Sequence, residues 1–349
     1  MKLVAAICLL ALLTFSYAKL EARAQPSAPP QKPPFSATFI QYQNGMETQS
    51  IADWTREIET MKSAGIDSIV LQWLGYDGAK FYEGQFNQMN EALLNYADRH
   101  GMSVYLGLWF GSEFWETAKT IDSEYFRVHA NAQNAGKLVK ETAGILQRLS
   151  GYTSHSSFKG WYIPQEVWNQ DYTQDEQNRL KACLKRMCDL ARGTHSGRIL
   201  ISPIFNPGLA TTAQTTEVYK NVFSGTGITD VLVQDGAGAK QWDTEAKIRA
   251  NIPRYLEAYK AAAHHAGAKF WCNIESLEGP ENGPFFPTNF DRLKKQIEIE
   301  TQYADADGAL RPQIITFDFY HYMSPVHPGN TFTQRKALYD AYVQAFPNP

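Results

Sequence analysis

Residues 37–73 read ATFIQYQNGMETQSIADWTREIETMKSAGIDSIVLQW, and the apolar period of this stretch changes twice. Ala37–Gln43 is a short β-rich run. From Ile51 the apolar residues return at helical spacing, as Ile51, Trp54, Ile58 and Met61, and Gly65 supplies a stop signal. Asp67–Trp73 is β-rich again. A helix lying between two strands implies that the strands run parallel and are joined by a right-handed crossover.

Working outward, the unit repeats. A helix over Phe86–Gly101 leads to a strand at Ser103–Trp109, and a helix over Ala135–Gly151 leads to a strand at Phe158–Pro164. Asp175–Gly193 is helical and precedes a strand at Arg198–Pro203. A weaker helix around Thr212–Phe223 precedes Asp230–Gly236, the sixth strand. Glu245–Gly267 precedes Ala268–Glu275, Asn289–Ala304 precedes Gln313–Met323, and Thr333–Phe346 closes the series. The strands are apolar runs rather than clean alternations, as expected of a sheet covered on both faces. Eight such units predict one α/β domain, a (β/α)8 TIM barrel over residues 35–349. The competing arrangement, an open doubly wound sheet, calls for a Gly-rich phosphate turn after its first strand, whereas QYQNGMETQS has one glycine.

Residues 1–24 carry Met1-Lys2, a nearly unbroken apolar run from Leu3 to Phe15, and two small-x-small sites, Ser16-Tyr17-Ala18 and Ala22-Arg23-Ala24. They read as a cleaved secretory signal, and residues 25–34 (QPSAPPQKPP) as a Pro-rich lead. The expectation is a secreted or periplasmic protein with no stable membrane insertion after cleavage. Of four cysteines, Cys183, Cys188 and Cys272 would remain. The first two lie five apart on a helix, about 140° around its axis, so a disulfide between them is not expected. The chain has 349 residues and a net charge of -3, without the basic surplus that nucleic-acid binding requires.

In such barrels the chemistry sits where the strands end. Those positions hold Gln41 and Gln43, Gln72 and Trp73, Trp109 with Glu113 and Trp115, then Gln165, Glu166, Trp168 and Asn169. Ser202 and Asn206, Gln234 and Asp235, Asn273, Glu275 and Glu278, and finally Asp318, Tyr320 and His321 complete the rim. Carboxamides and carboxylates read hydroxyls, and flat rings stack on the C–H face of a sugar. The substrate-binding candidates are therefore Gln41, Gln72, Trp73, Trp109, Gln165, Trp168, Asn169, Gln234, Asn273, Asp318 and Tyr320. No cofactor and no metal are expected. The first strand end has Gln41-Tyr42-Gln43 in place of His-x-His. His264 and His265 are adjacent on a helix and face different ways. Lys269 starts its strand, and Lys240 is the nearest lysine to a strand end.

Glu166 and Glu275 stand just past strands four and seven. Paired carboxyls break a glycosidic bond, by retention at about 5–5.5 Å apart and by inversion at about 6.5–9.5 Å. Glu166 is assigned as general acid/base, its pKa raised by burial against Trp161 or Trp168, and Glu275 as nucleophile. Asp235 is the reserve, a third carboxylate able to orient a water or replace either partner. Glutamates at these two strand ends resemble the clan of retaining (β/α)8 glycoside hydrolases. In that clan Asn usually precedes the acid, where this chain has Gln165. The phrases FIQYQ, GIDSIVLQW, GWYIPQE, VLVQDG and NIE resemble a family of secreted bacterial barrels catalogued as a domain of unknown function and suspected of glycosidase activity. The resemblance implies a glycoside hydrolase acting on a poly- or oligosaccharide. The alternative is a non-catalytic carbohydrate-binding barrel, which has no need of both glutamates.

Overall fold

The computed structural model describes residues 32–111, 132–238, 244–279, 284–307, 311–327 and 329–348. The signal and most of the Pro-rich lead lie outside them, as do Glu113, Trp115 and Lys240. Eight parallel strands close into a barrel: β1 (Ala37–Ile40), β2 (Ser68–Leu71), β3 (Ser103–Gly107), β4 (Phe158–Ile163), β5 (Arg198–Ile201), β6 (Asp230–Gln234), β7 (Lys269–Glu275) and β8 (Ile314–Phe317). Each pairs with its sequence neighbours, and β1 pairs with β8 to close the ring. The (β/α)8 TIM barrel read from the sequence is therefore the fold.

The outer layer is formed by α1 (Ile51–Ser63), α2 (Gly84–His100), α3 (Ala132–Leu149), α4 (Gln174–Thr194), α5 (Thr212–Phe223), α6 (Glu245–His265), α7 (Phe290–Glu300) and α8 (Phe332–Ala345). Their starts are chemically set. Ser50 accepts from the Asp53 N–H at 3.1 Å to begin α1, and Thr173 with Glu176 and Thr211 with Gln214 form reciprocal caps on α4 and α5.

Strand periodicity sorts side chains into two cores. Ala37, Phe39, Val70, Tyr105, Tyr162, Leu200, Leu232, Trp271 and Ile315 fill the barrel interior, with Phe317 packed on them. The alternate residues of the same strands, among them Ile40, Leu71, Leu106, Trp161, Ile201, Val233 and Ile274, join the larger core between barrel and helices. On β4 an extra residue, Lys159, is bulged out opposite Val104 and Tyr105. Beyond it Tyr162 points inward and Trp161 outward.

The strand bounds and the pairings at the barrel ends differ from the sequence reading. The strands are shorter than the apolar runs. The run Gln313–Met323 is a strand only to Phe317, because the Asp318 carboxylate accepts from the His321 N–H at 2.7 Å and turns the chain into a one-turn helix, Phe319–Tyr322. Short pairings also decorate the barrel ends: Gly75–Tyr76 with Ala79–Lys80 and Trp109–Phe110, Leu277–Glu278 with Phe286–Pro287, and Ala306–Asp307 with Arg311–Pro312. Cys183, Cys188 and Cys272 are free and buried.

Candidate active site

The inward face of each strand continues past the apolar interior into polar residues. Gln72 follows Val70, Ser202 follows Leu200, Gln234 follows Leu232, and Asn273 and Glu275 follow Trp271, each two residues on and so on the same face. These side chains make a connected floor. Ser202 Oγ donates to the Leu232 carbonyl at 2.6 Å and accepts from Asn273 Nδ2 at 3.1 Å. Gln234 Nε2 donates to the Ser202 carbonyl at 3.0 Å and to Glu166 Oε1 at 3.4 Å. Trp168, Ile204 and Gln234 are bridged by backbone pairing, which extends the rim of β4, β5 and β6.

Glu166 is buried, 8% exposed. Removal from water favours its neutral form and pushes its pKa up to about 7, although the Gln234 amide pulls the other way. The ring that faces it from the interior is Tyr162, whose own pKa is raised by burial and by Glu166. Trp161, expected as a neighbour, lies on the helix side against Phe158, at 4.9 Å between centroids.

Glu275 is equally buried, at 6%, but has an ionic environment. The Gly238 N–H donates to its Oε2 at 2.6 Å, a charge-assisted contact. A Cβ on Gly238 would sit 2.4 Å from the Leu277 carbonyl oxygen and 2.8 Å from Glu275 Oε2, so the approach needs glycine. The Arg292 guanidinium of α7 holds the Ala237, Glu275 and Leu277 carbonyls and lies 3.6 Å from Glu278. Tyr322 is near enough to Asp318 and Glu275 for both, together with burial, to raise its pKa.

Other expected residues fall in two groups. Gln72, Gln165 and Asn273 are at most 3% exposed, and each has a side-chain oxygen without a donor among the described residues. Gln165 Nε2 is fixed on the Trp109 carbonyl at 2.8 Å and Asn273 Nδ2 on Ser202, which orients each amide and leaves its oxygen as an acceptor. Gln41 is half-buried, with its N–H 3.4 Å from Asp318 Oδ2 and its amide oxygen bonded to Gln43. Trp168 is the one part-exposed tryptophan among the described residues.

The second group is occupied elsewhere. Trp73 shares the outward parity of Leu71, donates to the Tyr42 carbonyl and stacks on Phe110 at 5.3 Å. Trp109 is buried in the small sheet beside Gly75, with its Nε1 on the Asp77 carbonyl at 3.3 Å. Asn169 spends its amide on the backbone of Asn206 and Ala210. Asp318 is fully buried and caps the one-turn helix, while Tyr320 donates to Gln49 and stacks on His327. Asp235 corrects the reserve assignment: sharing the parity of Val231 and Val233, it faces α7 rather than the mouth and is fully buried. The sequence reading missed Tyr162, Ser202 as a hub, Gly238, Arg292 and Tyr322. The Gly236-Ala237-Gly238 run after β6 was the local signal for Gly238, and nothing local marks Arg292.

Among the described residues no group of three or more His, Cys, Asp or Glu is placed to hold a metal ion, and no helix is long and apolar enough to cross a membrane. A cavity of about 380 Å³ lies at the opposite barrel end, lined by residues including Tyr105, Lys159 and Arg198. Its arginine is bound to Asp230 and Tyr105.

The barrel with its carboxylates at the C-terminal mouth defines an architecture shared with glycoside hydrolases. A candidate alpha-L-fucosidase from Bacteroides thetaiotaomicron superposes with a TM-score of 0.68 at 20% identity, covering 94% of this chain and 100% of that one. An endo-1,4-beta-mannanase from Rhizomucor miehei gives 0.52 at 13% identity over 90% and 96%, and endo-glycoceramidase II from Rhodococcus sp. 0.53 at 11% over 88% and 78%. At these identities the likeness is one of fold. No curated protein matches the chain. The sequence matches the family described as "Domain of unknown function (DUF4434)" over residues 35–329, and the chain belongs to that family.

Proposed function

We propose that the protein is a glycoside hydrolase acting on a poly- or oligosaccharide by a retaining, two-carboxylate mechanism. The observation that carries this reading is the contrast between two buried glutamates at one mouth. Glu166 is neutral up to about pH 7, and Glu275 is bound to a backbone N–H. The first is suited to give a proton and the second to stay an anion.

In the first step Glu166 gives its proton to the glycosidic oxygen as the bond from that oxygen to the anomeric carbon breaks. A Glu275 oxygen bonds to the anomeric carbon, forming a glycosyl ester and releasing the leaving alcohol. In the second step the Glu166 carboxylate takes a proton from water, the water oxygen bonds to the anomeric carbon, and the ester C–O bond breaks to free Glu275. The donor-free oxygens of Gln72, Gln165 and Asn273 are suited to accept from sugar hydroxyls, and part-exposed Trp168 to stack on a ring. A hydrolase of polysaccharides acts where they are, and the signal-like N-terminus fits export to the periplasm or medium.

The test is turnover of aryl glycosides and bacterial polysaccharides by the mature protein beside Glu166→Gln and Glu275→Gln. Each substitution is expected to reduce kcat/KM by at least about a thousandfold for unactivated substrates. A 2-fluoro glycoside is expected to label Glu275, and product stereochemistry by NMR to show retention. Activity surviving both substitutions overturns the mechanism. Saccharide binding without turnover on any substrate would establish the binding-barrel alternative.

A further inference from the structure

Behind Glu275, on the helix side of the barrel, lies a set of buried groups that the steps above do not use. Asp235, Gln296 and Glu300 are each 0% exposed. Asp235 Oδ1 accepts from the Ala237 N–H at 3.0 Å and from the Glu275 N–H at 3.4 Å. Asp235 Oδ2 accepts from Gln296 Nε2, and Gln296 Oε1 in turn accepts from Arg292 Nε at 3.1 Å. The Glu300 carboxyl lies against Asp235, and neither of its oxygens has a donor among the described residues. Cys272 of β7 donates to the Glu300 carbonyl rather than to its carboxyl in the hydrogen-bond geometry.

Two carboxyls in contact, out of water, with donors for only one of them, do not both ionise. The contact becomes a hydrogen bond when one of them carries a proton. The donors converge on Asp235, which makes it the anion and Glu300 the acid. The charged and titratable groups facing the pair are Glu275 and Cys272 from β7 and Arg292 from α7, with Lys260 of α6 and Asp305 acting on Cys272 from further off. Arg292 is the cation that balances Asp235, Glu275 and Glu278.

We propose that Asp235 and Glu300 hold one proton between them, and that this pair is a positioning device for the nucleophile. It pins the Ala237 and Glu275 amides to one carboxylate and so fixes the turn after β6 that aims the Gly238 N–H at Glu275 Oε2. The inference rests on the reading of Glu275 as nucleophile for its catalytic meaning, but not for its geometry. Burial raises the pKa of both members, in keeping with a proton retained at neutral pH.

The experiment compares Glu300→Gln with Glu300→Met in the mature protein. Glutamine offers an N–H where the shared proton sits, and methionine fills the space without a donor. Three readouts are taken: the Gly238 amide resonance in protein labelled with carbonyl-13C alanine and 15N glycine, the kcat and KM of hydrolysis, and the difference infrared spectrum of wild type against Glu300→Gln at pH 8. The infrared difference is expected to show the carbonyl stretch of a neutral carboxylic acid in the wild type alone. Glu300→Gln is expected to keep the Gly238 resonance and the wild-type rate. Glu300→Met is expected to move the resonance and to lower kcat about tenfold with KM nearly unchanged. No neutral-acid band, or Gln and Met variants that behave alike in the amide resonance, overturns the proposal. If the Met variant does not fold, the infrared band and the Gln variant still decide. A wild type that turns over no glycoside removes the functional reading, while the band and the amide resonance still decide the pair.

Discussion

At the N-terminal end of the barrel, Arg198 gives two donors to Asp230 and a third to Tyr105, and Asp230 also receives Trp271 Nε1 and Thr229 Oγ1. Nearby, Arg311 binds Asp67 and the Pro33, Phe35 and Gly65 carbonyls, which ties the start of β1 to β8. At the C-terminal end, Glu166 has one long amide contact, and three carboxamides have oxygens with no donor among the described residues. Two acids make the contrast explicit. Asp98 is only part-buried, and hydrogen bonds from His155, Ser157 and Ser156 outweigh its partial loss of water and hold its carboxyl well below the usual range. Glu166 is far more deeply buried, has only the long Gln234 contact, and is pushed up to about 7. One end satisfies its buried charge, and the other leaves Glu166 and three carboxamide oxygens short of donors among the described residues. The first arrangement stabilises the fold, and the second leaves polar groups ready for a ligand at some cost in stability.

The comparison is most directly broken at Asp230. Replacing it with Ala strands a part-buried guanidinium and removes the acceptor for Trp271. The unfolding free energy is expected to fall by about 3–5 kcal/mol in urea titrations. Activity per folded molecule should change less than about twofold, because the pair lies at the far end of the barrel from Glu166 and Glu275. A specific loss of kcat with unchanged stability would show that the two ends are not separable in this way.

Glu166 sharpens the same contrast with the opposite sign. Its folded pKa is raised from 4.5 to about 7, so the folded state holds the proton more tightly than the unfolded chain. Its stabilising contribution is full below about pH 4.5, declines as the pH rises through 7, and is absent above. Glu166→Gln is expected to abolish activity on unactivated glycosides while raising stability at pH 8 by roughly 3 kcal/mol relative to wild type. The two proteins should unfold alike near pH 4. Asp98 works the other way: its contribution is present above the ordinary carboxylate range and is lost as the medium is acidified. Equal pH dependence of thermal unfolding in wild type and Glu166→Gln would show that Glu166 is not desolvated as described.

The sequence carried the fold well because the eight units depend on local signals: apolar period, caps and glycine stops. It carried Glu166 and Glu275 to the strand ends for the same reason. It did not reveal which face each rim residue takes. In a parallel strand covered on both sides, Leu232 and Val233 are both apolar, so the pattern gives no inside or outside. That is why Asp235 read as a rim acid, Trp73 as a sugar platform and Trp161 as a neighbour of Glu166. The bulge at Lys159, which sets the direction of Tyr162, is marked in β4 by Gly160, where a Cβ would lie 1.9 Å from the Arg198 carbonyl oxygen, but one glycine does not say which way the residues after it turn. Glu300 and Arg292 come from α7 and reach the site only through packing of a helix on the barrel, a contact no local pattern encodes.

The smallest expected effect tests whether burial, rather than pairing as such, separates the two ends. Lys185 and Asp189 form an ion pair at 2.9 Å one turn apart on α4, with side chains 53% and 44% exposed. In geometry it is as short as the contacts of Arg198. Both partners keep most of their hydration, however, and salt screens what remains. Lys185→Gln is therefore expected to cost no more than about 0.5 kcal/mol, and less in high salt, when measured by urea titration alongside Asp230→Ala. A cost approaching that of Asp230→Ala would mean that short ion pairs stabilise this barrel wherever they occur. The contrast between its ends would then reflect the number of pairs rather than their removal from water.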